Sequence, residues 1–276
     1  MSVFFSARVV SAVVGRLRAA GCVFAEDEAE LLVSAARTPE ELDALVARRA
    51  EGGLPLEHVL GWAEFGGLRI EVREGVFVPR RRTEFLVAQA VEAVGGVPSP
   101  AVVVDLCCGA GAVGAAVASA LGRAELYAAD IDPVAVDCAR RNVGPFGGAV
   151  YVGDLYEPLP SSLRGRVDLL VVNAPYVPTA ALALLPAEAR DHEPPVALDG
   201  GADGLDVQRR VAAGAPEWLA PAGRLLIETS GRQAAGTVAA FTAAGLASRV
   251  VVCEDLEATV VVGTLVGRAD RADRAD

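Results

Sequence analysis

The stretch Val167-Asp168-Leu169-Leu170-Val171-Val172-Asn173-Ala174-Pro175-Tyr176 joins an apolar run to a polar ending. A short run rich in valine and leucine is typical of a buried strand. The residues that follow it place an amide, a rigid backbone and an aromatic ring at the end of that strand, where ligands of open α/β sheets bind. Together these groups could hold a planar amino group by its hydrogens and its face, which suits methylation of a weakly basic nitrogen.

This stretch lies within a regular alternation of predicted strands and helices. Strands are expected near 101–105, 125–130, 149–152, 167–172 and 223–229, and helices near 112–121, 133–142, 203–219 and 231–244. Two later β-rich runs, 247–252 and 259–265, predict a terminal hairpin. Because the earlier strands are apolar throughout, the pattern predicts a mostly parallel sheet covered by helices on both faces.

The residues before this alternation have a different pattern. Apolar residues recur at helical spacing from Ser6 to about Ala50 and predict three helices, the third capped by Thr38 and Glu41 as a capping box. Residues 68–72 and 76–78 then predict a hairpin that links two domains.

The predicted domains follow these changes of pattern. They are a helical substrate-recognition domain over 1–63, a hairpin linker over 64–82, an α/β domain over 83–267 and a disordered polar tail over 268–276.

Composition narrows the class of protein. The chain has 276 residues, a net charge of −11 and 53% hydrophobic residues, yet no apolar run approaches the roughly 20 residues that cross a bilayer. A soluble, cytoplasmic protein is therefore expected. The acidic balance disfavours a nucleic-acid surface, and five cysteines without metal-ligand spacing predict free thiols and no metal site.

A glycine-rich turn follows the first α/β strand, in residues 104–114. Gly109, Gly111 and Gly114 have the spacing of a nucleotide-binding loop, in which glycine lets the backbone approach a ligand closely. Asp105, at the strand end, would repel a pyrophosphate but could attract a cationic methionine group. The turn therefore favours a positively charged cofactor over a dinucleotide.

Acidic residues also end the next two strands. Asp130, followed by Ile131, stands about 20 residues beyond the glycines, where a carboxylate can bind both ribose hydroxyls. Asp154, followed by Leu155, ends the third strand and could accept a hydrogen bond from an adenine amino group. Each aspartate could instead cap the following helix.

Together these residues resemble the protein-(glutamine-N5) methyltransferase family, S-adenosylmethionine enzymes that modify release factors and a few other proteins. The similarity spans roughly residues 50–265 and is carried by 55–61, 77–84, the glycine-rich turn, 173–176 and 193–205. It implies a seven-stranded class I S-adenosylmethionine-dependent methyltransferase domain, which is Rossmann-like, with a small N-terminal helical domain.

The resemblance also implies a role for each matching residue. It assigns Asp105, Gly109 and Gly111 to the methionine end of the cofactor, Asp130 to the ribose and Asp154 to the adenine, with Cys107, Ile131, Leu155 and Asn173 also at the cofactor site. The catalytic residues would be Asn173 and Ala174, which accept hydrogen bonds from the substrate amide, with Pro175 and Tyr176 shaping the slot. Glu193 is expected to support a loop.

Three departures from the family pattern indicate a divergent branch, whose substrate need not be a release factor. Ala174 stands where the family has proline, and Arg81-Arg82 stand where it has Pro-Glu. Cys107 replaces a glycine, and a left-handed backbone there would cost another residue roughly 1–2 kcal/mol. A different bend of the loop is therefore expected.

The implied activity is methylation of the side-chain amide nitrogen of a glutamine in a protein substrate, such as a peptide chain release factor, leaving S-adenosylhomocysteine. A monomer is expected, without membrane association or direct nucleic-acid binding. Three alternatives stay open. An N6-adenine nucleic-acid methyltransferase uses a similar motif on a flipped base. A non-catalytic cofactor-binding paralogue would account for Cys107 and Ala174, and a small-molecule methyltransferase would share the cofactor site.

Overall fold

The structure, a computed structural model, describes residues 5–95 and 100–265, so the predicted tail at 268–276 lies outside the described residues. The helices are α1 Ala7–Ala19, α2 Ala25–Ala35, α3 Pro39–Ala50, α4 Leu56–Leu60, α5 Glu84–Ala93, α6 Ala112–Leu121, α7 Pro133–Val143, α8 Ala187–His192, α9 Asp206–Trp218 and α10 Ala234–Ala243. The strands are β1 Trp62–Phe65, β2 Leu68–Glu71, β3 Ala101–Leu106, β4 Ala124–Asp130, β5 Ala149–Val152, β6 Val167–Val172, β7 Leu219–Thr229, β8 Leu246–Cys253 and β9 Ala258–Leu265.

A seven-stranded sheet forms the centre of the molecule, in the order β5-β4-β3-β6-β7-β9-β8. The first five strands in this order, β5, β4, β3, β6 and β7, are parallel to one another, whereas β9 runs antiparallel to both β7 and β8. The predicted parallel sheet with a terminal hairpin is therefore confirmed. Strand β7 differs from its prediction, because it begins at Leu219 rather than near 223.

Helices bury the sheet on both faces. All of β3 is buried, with Val103 in one apolar cluster and Val102 and Val104 in a second cluster on the opposite face. Because side chains alternate across a strand, two covered faces leave little room for polar residues within it. Polar side chains are therefore confined to the strand ends, where the ligand site of such sheets lies.

The N-terminal helices have their own apolar cluster, which includes Leu17, Leu32 and Val46. The three predicted helices are present, and a short fourth helix, α4, follows them. Thr38 Oγ1 accepts a hydrogen bond from the Glu41 N–H at 3.1 Å, as a helix cap should. The carboxylate of Glu41, however, accepts from the Arg37 N–H at 2.8 Å, so the predicted reciprocal bond to Thr38 is wrong.

The hairpin prediction identified the wrong partner strand. Strand β2 pairs with β1, in the register Phe65 to Leu68, and not with residues 76–78. Gly66 and Gly67 form the turn, with φ of +57° and +73°. Two successive residues with positive φ match the twist of a two-residue hairpin, which favours this turn over the longer 73–75 connection.

Asn142, on α7, ties this hairpin to the main sheet. Its Oδ1 accepts from the Glu71 N–H at 2.8 Å, and its Nδ2 donates to the carbonyls of Glu71 at 2.9 Å and Ala110 at 2.8 Å. The side chain is buried. One amide therefore satisfies backbone groups of both the hairpin and the glycine-rich turn.

Asn142→Leu is expected to lower the free energy of unfolding by about 2–4 kcal/mol, because the buried Ala110 carbonyl and the partly buried backbone groups of Glu71 would lose their partners. Urea denaturation measures this change. Arg140→Ala, which removes an exposed ion pair with Asp137 on the same helix, is the control and should cost less than about 0.5 kcal/mol. Equal losses in the two variants would contradict the role of Asn142.

Within the described residues, no helix combines the length and apolar character needed to span a membrane.

Candidate active site

A cavity of about 830 Å³ opens at the carboxyl ends of the parallel strands. Its lining includes nearly every predicted site residue: Asp105, Cys107, Gly109, Asp130, Ile131, Asp154, Leu155, Asn173, Ala174, Pro175 and Tyr176. Gly111 does not line the cavity. A Cβ at this position would lie 2.8 Å from Val143 Cγ2 and 3.1 Å from Ala139 Cβ, both on α7. This glycine therefore lets the loop pack against α7 instead of lining the cavity.

The glycine-rich turn keeps a left-handed backbone at Cys107, where φ is +54°. The expectation that cysteine would change the bend of the loop is therefore wrong. The Cys108 N–H donates to the Ala129 carbonyl at 3.2 Å, and the Gly111 N–H donates to the Cys108 carbonyl at 2.7 Å. These backbone bonds hold the turn, although the conformation of Cys107 costs about 1–2 kcal/mol.

Asp105 is a buried carboxyl group at the end of β3, only 1% exposed. Its Oδ2 accepts from the Gly114 N–H at 2.8 Å, and a Cβ at Gly114 would lie 3.0 Å from that oxygen. The pKa of Asp105 is raised to about 7, chiefly by burial and also by nearby Asp130, against the lowering effect of the Gly114 bond. A cation bound beside this group would favour its ionised form.

Asp130 joins the end of β4 to the glycine-rich turn. Its Oδ2 accepts from the Gly109 N–H at 2.8 Å, and its Oδ1 accepts from the Asp132 N–H at 2.9 Å. Burial raises the pKa of Asp130, while these backbone bonds lower it. The cap of α7 is Asp132, whose Oδ1 accepts from Val134, so the capping alternative for Asp130 is wrong. Each Asp130 oxygen can still accept one further bond.

Asp154 has a partner that the sequence did not indicate. Its Oδ2 lies 2.6 Å from Nη2 of Arg210, on α9, and both residues line the cavity. Leu155 adopts a φ of +49° beside it. The adenine assignment for Asp154 must therefore accommodate an arginine already bound to the carboxylate.

The segment after β6 is held by neighbouring elements. Asn173 Nδ2 donates to Thr83 Oγ1 at 3.4 Å, which leaves the amide oxygen as an acceptor. The Tyr176 carbonyl accepts from Gln233 Nε2 at 2.8 Å, and the Tyr176 hydroxyl accepts from Arg82 Nη2 at 2.7 Å. The segment before α5 and the residue that precedes α10 thus position this short motif.

Glu193 supports the segment before α5, as expected. Its Oε1 accepts from the Val78 N–H at 3.1 Å and from Arg80 Nη2 at 2.5 Å. Burial raises the pKa of this carboxyl group, while Arg80 and the Val78 N–H lower it. The residue is buried and holds one wall of the cavity in place.

Several cavity residues had no assigned role in the sequence prediction. These residues lie on turns and helices that are far apart in the sequence. They include Phe77, Arg82, Thr83, Val207, Arg210 and Glu257. Only the first three lie within a segment that carried the family resemblance, so the sequence contained a partial signal for them. The others become neighbours of the site only through folding.

The donor set fits S-adenosylmethionine. A cation suits the buried carboxyl group of Asp105, and a ribose suits the spare lone pairs of Asp130. Gly109 has a φ of +53°, and a Cβ there would meet no atom within 4 Å, so its backbone is open to a ligand. The volume falls within the roughly 300–1,000 Å³ of small-molecule sites. Among the described residues, no cluster of side chains has the make-up of a metal site.

Comparison with known proteins places the chain among methyltransferases. The family called Methyltransferase small domain matches residues 69–186. A release factor glutamine methyltransferase from Geobacter sulfurreducens is 41% identical over 212 residues, which cover 75% of this chain and 72% of that protein. One from Mycolicibacterium smegmatis is 41% identical over 222 residues, covering 79% and 77%.

A solved methyltransferase structure from Pyrococcus furiosus has a TM-score of 0.55 at 14% identity and covers 73% of this chain and 90% of its own, which confirms the fold. The first two relatives share sequence over most of their length, and they confirm the resemblance stated above. The chain therefore belongs to the release factor glutamine methyltransferase family.

Proposed function

We propose that this protein transfers the methyl group of S-adenosylmethionine to the side-chain amide nitrogen of a glutamine in a protein substrate. The observation that carries the proposal is that Asn173 and Ala174, which offer an amide oxygen and a backbone carbonyl after β6, line the same cavity as Asp105 and Asp130. The names of the two relatives support a glutamine as the acceptor. They give no support to the nucleic-acid or non-catalytic alternatives.

Residues at three strand ends would hold the cofactor. Asp105 would face the charged methionine end, Asp130 would bind the ribose hydroxyls, and Asp154 with Leu155 would border the adenine. When bound, S-adenosylmethionine supplies a methyl group already activated as a sulfonium. The protein therefore needs to provide position more than bond chemistry.

The substrate side must overcome a weak nucleophile, because an amide nitrogen shares its lone pair with the carbonyl. Asn173 Oδ1 and the Ala174 carbonyl would each accept one N–H of the glutamine. These bonds would aim the nitrogen and stabilise positive charge as it develops. Pro175 restricts the backbone and the Tyr176 ring forms one wall of the slot. No titrating base is required before attack, and the methylated nitrogen would then lose one of its two protons to water.

We further propose a release factor as the protein substrate, in keeping with the names of the relatives. The helical region α1 to α4 is the part proposed to recognise it. An ion pair connects this helical region to the cavity. Nη1 of Arg49, on α3, lies 2.6 Å from Oε1 of Glu188, on helix α8, which borders the cavity. We also propose that the protein acts as a monomer in the cytoplasm, since all proposed site residues lie in this chain.

A transfer assay tests the proposal. The purified protein is incubated with labelled S-adenosylmethionine and an unmethylated release factor, and the product is mapped by mass spectrometry. One methyl group on a glutamine side-chain nitrogen is expected, and none when that glutamine is replaced by asparagine. DNA and RNA serve as parallel acceptors. Label on nucleic acid, or on no acceptor at all, would contradict the proposal.

Cofactor affinity is expected to weaken about tenfold between pH 8 and pH 6. Burial, the larger effect, raises the pKa of Asp105 to about 7 in the unliganded protein, so acid makes this group neutral and removes its attraction for a cation. The same shift means that unliganded folding stability falls as pH rises from about 4 through about 7. Turnover at saturating cofactor should vary little over this pH range.

Equilibrium titration at pH 6, 7 and 8 measures this dependence. Asp105→Asn cannot ionise and is the control, so its weaker affinity should not depend on pH over this range. An unchanged pH dependence in the Asp105→Asn variant would show that another group is responsible.

A further inference from the structure

Glu228, at the end of β7, is a buried carboxylate without a role in the mechanism above. It is 2% exposed, and its Oε2 has no hydrogen-bond partner within residues 5–95 and 100–265. Burial raises its pKa, while the hydroxyls of Thr83 and Tyr176 and the guanidinium of Arg82 interact with it and lower the pKa. A buried acceptor left unpaired is costly, which indicates a reason for keeping it.

Thr83 links this carboxylate to the proposed acceptor pair. The threonine is 2% exposed, lies just before α5 and lines the cavity. Its hydroxyl receives the Asn173 N–H at 3.4 Å and also interacts with Glu228. Glu228, Thr83 and Asn173 come from three separate elements of the fold, so no sequence motif joins them.

The direction of these bonds is fixed by chemistry. An ionised carboxylate only accepts hydrogen bonds, whereas a threonine hydroxyl donates one and accepts others. Thr83, which accepts from the Asn173 nitrogen, can therefore use its own hydrogen only as a donor, and Glu228 is the acceptor we assign to it. That arrangement turns the Asn173 oxygen, and not its NH₂ group, toward the cavity.

Arg82 provides a second connection from the same carboxylate. Its Nε lies 3.6 Å from Glu228 Oε1, and its Nη2 donates to the Tyr176 hydroxyl at 2.7 Å. The nearby positive charge favours the ionised form of Glu228. Both ends of the Asn173–Tyr176 motif are thus connected to one buried group.

We propose that Glu228 is a positioning residue that acts through Thr83 to set which end of the Asn173 amide meets the substrate nitrogen. This inference rests on the proposed glutamine methylation. With the amide reversed, its NH₂ group would face the substrate NH₂, and two donors cannot bond to each other. Transfer would then be slow even though cofactor and substrate still bind.

Single substitutions that change only the proposed hydrogen bonds from Glu228 through Thr83 to Asn173 test the inference. Glu228→Gln keeps the size but can donate to Thr83, and Thr83→Val keeps the shape but lacks the hydroxyl. Each is expected to lower kcat by roughly 100-fold at saturating cofactor and substrate. Cofactor Kd should stay within about threefold, because the cofactor contacts are unchanged. Thr83→Ser should restore most of the turnover lost in Thr83→Val.

Controls separate positioning from loss of structure. Thr237→Val removes a hydroxyl from an equally buried threonine, bonded to Gln208 outside the cavity, and should lower stability without lowering kcat. The double variant Glu228→Gln with Thr83→Val should lose little more kcat than either single variant, since both changes break the same series of hydrogen bonds.

Three outcomes would overturn the inference. A kcat of Glu228→Gln within threefold of that of the unsubstituted protein would show that Glu228 does not act through Thr83. The same conclusion would follow if the fold-losses of the two single variants multiplied in the double variant. A kcat loss in Thr237→Val as large as that in Thr83→Val would assign the effect to general destabilisation. Each of these requires an active parent protein. A parent that transfers no methyl group would instead overturn the proposed function, and the inference with it.

Discussion

Asn173→Ala is expected to lower kcat for glutamine methylation by roughly 10³-fold, while cofactor Kd changes by less than about threefold. The variant removes one of the two proposed acceptors for the substrate NH₂ group. The remaining Ala174 carbonyl can hold one hydrogen but cannot fix the direction of the nitrogen. The Asn173 side chain bonds to Thr83 and not to the glycine-rich turn, which Asp130 holds instead. The shape of the cofactor site should therefore be unchanged in this variant.

Rapid-quench turnover and equilibrium dialysis measure the two quantities separately. Asn173→Asp is the matched variant, since it keeps an acceptor oxygen of similar position, and it should retain more turnover than Asn173→Ala. A large rise in cofactor Kd for Asn173→Ala would contradict the separation of substrate and cofactor roles.

The second large effect is expected from Asp130→Ala, which should raise cofactor Kd by roughly 100-fold. This carboxylate receives the N–H groups of Gly109 and Asp132, and the proposed ribose contact adds to them. Removing it deprives the glycine-rich turn of its side-chain link to β4 and leaves only the backbone bond from Cys108 to Ala129. Both the preformed shape of the site and a direct contact are lost.

Calorimetric titration measures this change in affinity. Asp168→Ala is the control, because Asp168 Oδ2 also accepts a backbone N–H, from Val102 at 2.8 Å, but does so at the opposite end of the sheet. That variant should lose stability and keep its cofactor affinity. If the two variants weakened cofactor binding equally, the effect would belong to the sheet as a whole and not to the site.

Much of the α/β fold could be predicted because burial on both faces leaves a simple pattern. Residues 101–104 of strand β3 and 169–172 of strand β6 are apolar runs, and a polar residue of the site follows each run directly. A parallel sheet brings those ends to one edge. Asp105, Asp130 and Asn173 could therefore be placed together from spacing alone, and the structure has all three lining one cavity.

Other features depend on contacts that spacing does not encode. The pairing of Asp154 with Arg210 joins β5 to α9, and the proximity of Glu228 to Thr83 joins β7 to the start of α5. Local preference also misled the prediction at Cys107. Its backbone is left-handed despite the cost, because the bonds of the surrounding turn outweigh the preference of a single residue.

The hairpin shows how two plausible turns compete. Residues 73–75 and Gly66-Gly67 both carry turn signals, and alternating apolar residues flank the first. The glycine pair forms the tighter turn, and Gly66 also receives support from Glu84, whose Oε1 accepts its N–H at 3.0 Å. The bond from Glu84 joins residues 18 positions apart in the sequence, so a local pattern around Gly66 cannot reveal it.

A crystal structure with S-adenosylhomocysteine and a glutamine-containing peptide of the substrate would show directly where the glutamine nitrogen is held. We predict that the glutamine side-chain nitrogen lies within hydrogen-bonding distance of both Asn173 Oδ1 and the Ala174 carbonyl, on the side facing the cofactor sulfur. A glutamine nitrogen held elsewhere, or an Asn173 amide turned with its NH₂ group toward the peptide, would contradict it.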